Sequence, residues 1–223
     1  MGDLSEYHGY FGTPLSGRWN GRRIKLLLKG KKIGFCVTGS FCTLDAVLPQ
    51  IKLLKEEGAE LFPVFSTAIT TTDTRFTTAR AFREKVVDIT GREPVDTIVE
   101  AEPFGPVRKM DLMIIAPCTG NTLAKLVNGI TDTPVLMASK AHLRNQRPLL
   151  IAVATNDGLG NNARNIGMAL NLKNVFLVPI FQDNPSKKPN SLVSDMTQIL
   201  EASGRAMEKS QIQPVLIEKK GNP

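Results

Sequence analysis

The stretch Ile33-Gly34-Phe35-Cys36-Val37-Thr38-Gly39-Ser40-Phe41-Cys42-Thr43-Leu44 decides how the rest of the chain is read. A strand-length apolar run, Ile33–Val37, breaks off at Thr38-Gly39-Ser40. Leu44, Val47, Leu48, Ile51 and Leu54 then recur at helical spacing as far as Gly58, a residue suited to a helix C-terminus. Pro49 falls in the second turn of that helix and predicts a kink. The apolar run does not alternate with polar residues, so both of its faces should be buried. A parallel sheet covered by helices on each side meets that condition.

The same alternation continues outward. Leu61–Phe65 reads as a strand whose Pro63 predicts an edge position or a bulge. Phe76–Ile89 reads as a helix closed by Gly91, and Leu112–Ala116 as a strand stopped by Pro117. A helix over Asn121–Asn128, a strand over Leu149–Ala154, a short helix over Asn161–Leu170 and a strand over Val175–Val178 follow. Asn184–Asn190 reads as a loop, and Ser191–Glu208 as a long helix capped by Ser191. The expected fold is α/β: a doubly wound parallel sheet, flavodoxin-like, in a three-layer sandwich. Right-handed crossovers gather the loops after Val37, Phe65, Ala116 and Ala154 along one edge, where such folds bind ligands.

With 223 residues, 42% of them hydrophobic, the chain can bury an ordinary core and is neither fibrous nor wholly disordered. The longest apolar run, Leu149–Ala154, is far short of the ~20 residues a spanning helix needs. Three cysteines without a C-x-x-C pair predict no disulfide framework, no structural zinc and a reducing cytoplasm. The net charge of +7 is spread along the chain without a long basic block, which fits solubility or attraction of an anionic metabolite better than nucleic acid. Tyr7, Tyr10 and Trp19 are every tyrosine and the sole tryptophan. They lie in a leader without hydrophobic periodicity, so residues 1–29 are expected to form a disordered extension and residues 30–223 the α/β domain.

Four loops carry the candidate chemistry. After the first strand, Gly39 permits close approach of a ligand, and Ser40 and Thr43 offer hydroxyls beside unpaired helix amides, an arrangement suited to phosphate. The alternative is an ordinary turn capped by Thr43. After the second, Ser66-Thr67-Ala68-Ile69-Thr70-Thr71-Thr72-Asp73-Thr74-Arg75 is rich in hydroxyls, of which Ser66 lies nearest the strand; an Asx-turn at Asp73 is the plainer reading. After the third, Cys118-Thr119-Gly120-Asn121-Thr122 puts an amide side chain at a helix start. Asn121 is there either a plain N-cap or a group facing a ring or carboxylate, and Cys118 reads as a small buried hydrophobe rather than a nucleophile. After the fourth, Asn156 presents a second amide. Lys140, His142, Arg144 and Arg147 lie just upstream, either attracting a dicarboxylate or forming a solvated helix face.

Together the loops resemble those of the flavoprotein family of homo-oligomeric FMN-containing cysteine decarboxylases. The resemblance rests on Val37–Ser40, on Pro117, Asn121, Thr122, Ala124 and Lys125, on Leu126, Asn128, Gly129 and Ile130, and on Thr155-Asn156. It implies FMN held by Gly39, Ser40, Ser66, Cys118, Thr119, Gly120 and Asn121. Asn121 is the catalytic candidate, and Asn156, Arg75 and Arg164 are candidates to bind substrate. The family's decarboxylases carry a histidine a few residues before the third strand, whereas here the stretch Glu102–Asp111 has none and Pro103 stands in its place. One branch resembles this chain over about Lys31–Ile217, through Thr74-Arg75-Phe76, Ala101-Glu102-Pro103, Thr131–Ala138 and Thr155-Asn156-Asp157. Similarity to that branch implies a partner A subunit carrying NAD or NADP. The two would oxidise a dihydrodipicolinate-type intermediate to dipicolinate, a small dicarboxylate, in the mother cell of a sporulating bacterium. The resemblance also implies a trimer or dodecamer. A scaffold subunit without FMN, and a decarboxylase using another acid, are the alternatives.

Overall fold

The computed structural model describes residues 28–218. Apart from Leu28 and Lys29, the extension expected over residues 1–29 lies outside the described residues; Leu28 is fully buried in the core. Seven strands form the sheet: β1 (Lys32–Val37), β2 (Glu60–Phe65), β3 (Leu112–Cys118), β4 (Leu149–Thr155), β5 (Val175–Leu177), β6 (Ile180–Gln182) and β7 (Leu192–Ser194). The order is β2-β1-β3-β4 with β5 also on β4, all parallel. That is the flavodoxin-like order, and the doubly wound expectation holds. β7 joins the far end of β4 antiparallel, at Ala154 and Thr155, and β6 pairs with β7 antiparallel.

Alternation along each strand divides the apolar side chains between two cores. Ile33, Phe35 and Val37, Leu112, Ile114 and Ala116, and Leu150, Ala152 and Ala154 face one layer. That layer is closed by α1 (Leu44–Glu56), α3 (Ala79–Thr90) and α8 (Ile199–Met207). Cys36, Met113, Ile115, Leu149, Ile151 and Val153 face the other. There α5 (Gly120–Val127), α6 (Pro134–Leu143) and α7 (Asn162–Asn171) pack with Ala101 and Phe104. Two short helices, α2 (Thr67–Thr71) and α4 (Ile98–Ala101), lie in the connections after β2 and before β3.

Pro63 sits on an edge strand, as expected. Its carbonyl accepts from the Val95 amide at 2.9 Å, away from β1, so its missing N–H also faces outward and costs the β1 ladder nothing. α1 runs unbroken through Pro49 and ends before Gly58, whose φ is +90°. Pro117 does not stop β3. It lies inside the strand, where the register with β4 shifts between Ile115 and Cys118.

The largest correction concerns Ser191. No long helix starts there: Leu192–Ser194 form β7, a 3-10 turn follows at Met196–Gln198, and the helix covers only Ile199–Met207. The apolar pair Leu192–Val193 is paired on both sides, by β4 and β6, instead of opening a helical stripe.

Candidate functional site

β1 leads into α1 on one face of the sheet, and β3 leads into α5 on the opposite face. The two chain exits therefore diverge between adjacent strands, which opens a crevice at their carboxyl ends. Thr38 stitches its two sides together. Its hydroxyl donates to the Pro117 carbonyl at 2.7 Å and accepts from the Thr119 amide at 3.0 Å, and its own amide donates to Pro117 at 3.3 Å. Thr38 is buried, and the sequence reading assigned it no role of its own.

The crevice widens into a cleft of ≈ 940 Å³. Gly39 to Thr43, Arg75-Phe76, Thr119-Gly120 and Ala154 to Asp157 line it, with Asp183, Lys188, Ser191 and Val193 from the β6–β7 side. Four of the proposed loops thus meet, and a segment read as a plain loop, Asn184–Asn190, contributes Lys188 beside Asp183 at 3.6 Å. Among the sequence candidates, Gly39, Ser40, Arg75, Thr119, Gly120 and Asn156 are brought to the wall. Ser66 and Cys118 are buried behind it; Asn121 and Arg164 are exposed and lie outside the lining.

The hydroxyl-rich stretch folds as α2 rather than as a loop, and this consumes most of its donors. Thr70 and Thr71 donate to the Thr67 carbonyl, and Thr74 accepts from the amides of Phe76 and Thr77. Asp73 accepts from Ala79, at the start of α3, instead of forming the expected Asx-turn. Ser66 is the exception. It heads α2, its amide donates to Val37 at 3.0 Å, and its Oγ is buried with no partner among the described residues. An orphaned buried hydroxyl at the carboxyl end of β2, one strand from Ser40, is the group a phosphate-bearing ligand would satisfy.

At the head of α5 the N-cap is Thr119, not Asn121. Thr119 Oγ1 accepts from the Thr122 amide at 3.2 Å and donates to Thr122 Oγ1 at 3.0 Å. Gly120 has no unusual backbone; space demands it. A Cβ there would lie 2.4 Å from Asn162 Nδ2 and 2.5 Å from Thr155 Oγ1. Gly39 is similar, since a Cβ would sit 3.0 Å from Ala68 of α2.

Beneath Gly120 runs a network the sequence reading missed. Asp157 accepts from Thr155 Oγ1 at 2.6 Å and from Asn162 Nδ2 at 2.8 Å, and Asn165 donates to Asn162. Those two bonds, Thr155 first, hold the Asp157 carboxyl below its ordinary value. The network fixes the turn that presents Asn156, which is exposed at the cleft. The repeated Asn and Asp between Thr155 and Asn165 were the available signal. Phe41 and Phe76 supply aromatic faces, with the Arg75 guanidinium 4.9 Å from the Phe76 ring.

The upstream basic group does not face this cleft as a set. His142 is fully buried and bonded through Nε2 to the Pro148 carbonyl at 2.8 Å; burial lowers its pKa to about 4. Burial likewise raises the thiols of Cys36 and Cys118 far above their ordinary value, which fits the reading of Cys118 as a core residue. Among the described residues no cluster of histidine, cysteine or carboxylate side chains is arranged to hold a metal, and no helix is long and apolar enough to cross a membrane.

The model of the Flavoprotein family matches residues 23–209. The chain is 48% identical over 191 residues to the dipicolinate synthase B subunit of Bacillus subtilis (strain 168), covering 86% of this chain and 96% of that protein. The crystal structure of the dipicolinate synthase B subunit from Bacillus halodurans C superposes with a TM-score of 0.80 at 46% identity, over 86% of this chain and 99% of that one. The FMN-dependent cysteine decarboxylase SpaF shares the fold, with a TM-score of 0.58 at 19% identity over 82% of this chain and 99% of that one.

Proposed function

The chain belongs to the Flavoprotein family, and from that premise we propose that it acts as the B subunit of a dipicolinate synthase. It works beside an A subunit carrying NAD or NADP to oxidise a dihydrodipicolinate-type intermediate to dipicolinate. The observation that carries this reading is the cleft at the β1–β3 divergence, in a chain similar over most of its length to two such B subunits.

The residues present suit FMN. Ser40 on the wall and the orphaned Ser66 hydroxyl behind it supply phosphate donors, and the leading amides of α5 add the positive end of a helix dipole. Phe41 and Phe76 offer faces for a flat ring in a body without tyrosine or tryptophan. Bound flavin would supply hydride acceptance or delivery.

The chain's own residues bind and orient. Arg75 and Lys188 draw a dicarboxylate into the cleft, Arg75 with a planar fork matched to a carboxylate. Asn156 donates to the substrate and is held in place by the Asp157 network. Asn121, the second residue of α5, is exposed outside the lining and meets only the part of a substrate that projects past Gly120, while exposed Arg164 contributes attraction from farther out. Cysteine decarboxylation is disfavoured: Glu102–Asp111 lacks a histidine, and His142 is sealed in the core.

The test is to purify the protein alone and with the A subunit, record visible absorption and assay dipicolinate formation. A flavin spectrum, and activity that needs both chains and falls at least ~10-fold in Asn156→Ala, is the expected outcome. A colourless protein that takes up no FMN yet still supports the A subunit establishes a scaffold instead. Unchanged activity in Asn156→Ala removes Asn156 from the site.

A further inference from the structure

A second cavity, of ≈ 590 Å³, opens at the other end of the strands. Lys32, on its wall, begins β1, whereas Val37 ends β1 at the cleft; about 16 Å of strand separates the two. Cations enter from three separate segments: Lys32, Arg92 after α3, and Arg108-Lys109 before β3. The carboxylate on this wall, Glu93, is already engaged by Arg83 at 2.9 Å. Arg92 lies over the Phe62 ring at 4.2 Å and keeps only a loose 3.7 Å contact with Glu60. Among the described residues, Lys32, Arg108 and Lys109 have no ion-pair partner. The floor is apolar, made of Phe62, Phe104 and Met110.

We propose that this cavity is a second ligand site, for a small planar acid carrying two carboxylates. Unpaired cations on several walls exceed what one carboxylate neutralises, and guanidinium forks match carboxylates in shape as well as charge. The aromatic and methionine floor gives a flat apolar body a surface that inorganic phosphate would leave unused. The volume takes a ring with two substituents and leaves the α/β core undisturbed. The site is independent of the cleft, because the two share no lining residue.

Calorimetric titration of the full chain with pyridine-2,6-dicarboxylate at low salt tests the assignment, with inorganic phosphate in a parallel titration. The double variant Arg108→Gln/Lys109→Gln alters exposed side chains only, and an unchanged melting temperature verifies its fold. The expected result is saturable binding, weakened at least ~10-fold in the double variant and by added salt, and retained in Arg75→Gln, whose lesion is confined to the cleft. A second binding event lost only in Arg75→Gln would belong to the cleft and leave the proposal standing. The proposal is overturned if the double variant binds with wild-type affinity and stoichiometry, if no saturable binding occurs outside the cleft, or if phosphate binds as tightly as the dicarboxylate.

Discussion

Thr38 shows how one hydroxyl holds two loops in a single geometry. Valine fills the same space but cannot donate to Pro117 or accept from Thr119. The Pro117 carbonyl keeps the Thr38 amide as a donor, so the main loss is the partner of the Thr119 amide. A fully buried donor left unsatisfied costs about 1–3 kcal/mol, and the part-buried Thr119 amide belongs at the lower end of that range. Thr38→Val is therefore expected to lower the unfolding free energy by up to that amount, read as a lower urea midpoint at an unchanged slope, and to weaken any cleft ligand, whereas Thr38→Ser retains both. Equal stability of the valine and serine variants would show that the bridge carries no weight. This residue lay in plain view in the quoted stretch, beside Gly39 and Ser40. Its role was hidden because both partners stand about eighty positions away, and spacing arguments do not reach that far.

At the scale of elements, legibility followed periodicity. β1, α1 and β4 are written as an apolar run or a clean helical stripe, and the observed bounds fall within a residue or two of the expected ones. α6 was missed because Pro134, Val135, Leu136, Ala138, Ser139, Ala141 and His142 are all buried, so no polar face alternates with an apolar one. β6 and β7 span only three residues each and are selected by pairing, β7 with β4 and β6 with β7, a tertiary choice. The site was legible to the same degree: its four loops converge because the strand order compels it, while the membership of individual side chains does not follow from order. Gly120 illustrates the difference, since the sequence marked the glycine but not the reason for it. Gly120→Ala forces a methyl into Asn162 and Thr155, which are themselves bound to Asp157. Overpacking of this kind costs about 1–3 kcal/mol. The expected result is a lower thermal midpoint together with weaker substrate binding, since the displaced network presents Asn156; an unchanged midpoint would mean that the head of α5 can shift away freely.

For the whole molecule, His142 links folding to pH. Packed beneath β3 and β4, it keeps a neutral ring because burial opposes the charge and nearby Arg147 adds to that effect; the Pro148 hydrogen bond and Asp111 act in the opposite sense and are outweighed. Its pKa is about 4 in the folded chain, against an ordinary value of 6.5. Above that ordinary value both states hold a neutral ring and the group adds no pH dependence. As pH falls below 6.5, the unfolded chain takes up a proton that the folded chain refuses, so stability declines until the folded pKa near 4 is reached. A shift of this size corresponds to about 2–3 kcal/mol lost between pH 7 and pH 4.5, a sizeable share of a typical domain's stability. Urea unfolding across that range is expected to give a falling midpoint in the wild type and a shallower fall in His142→Gln. Should the variant not fold, ring proton signals of the native protein decide the matter. The His142 ring must remain neutral at pH 5.5, and a midpoint near 6.5 would mean that water reaches the layer between α6 and the sheet.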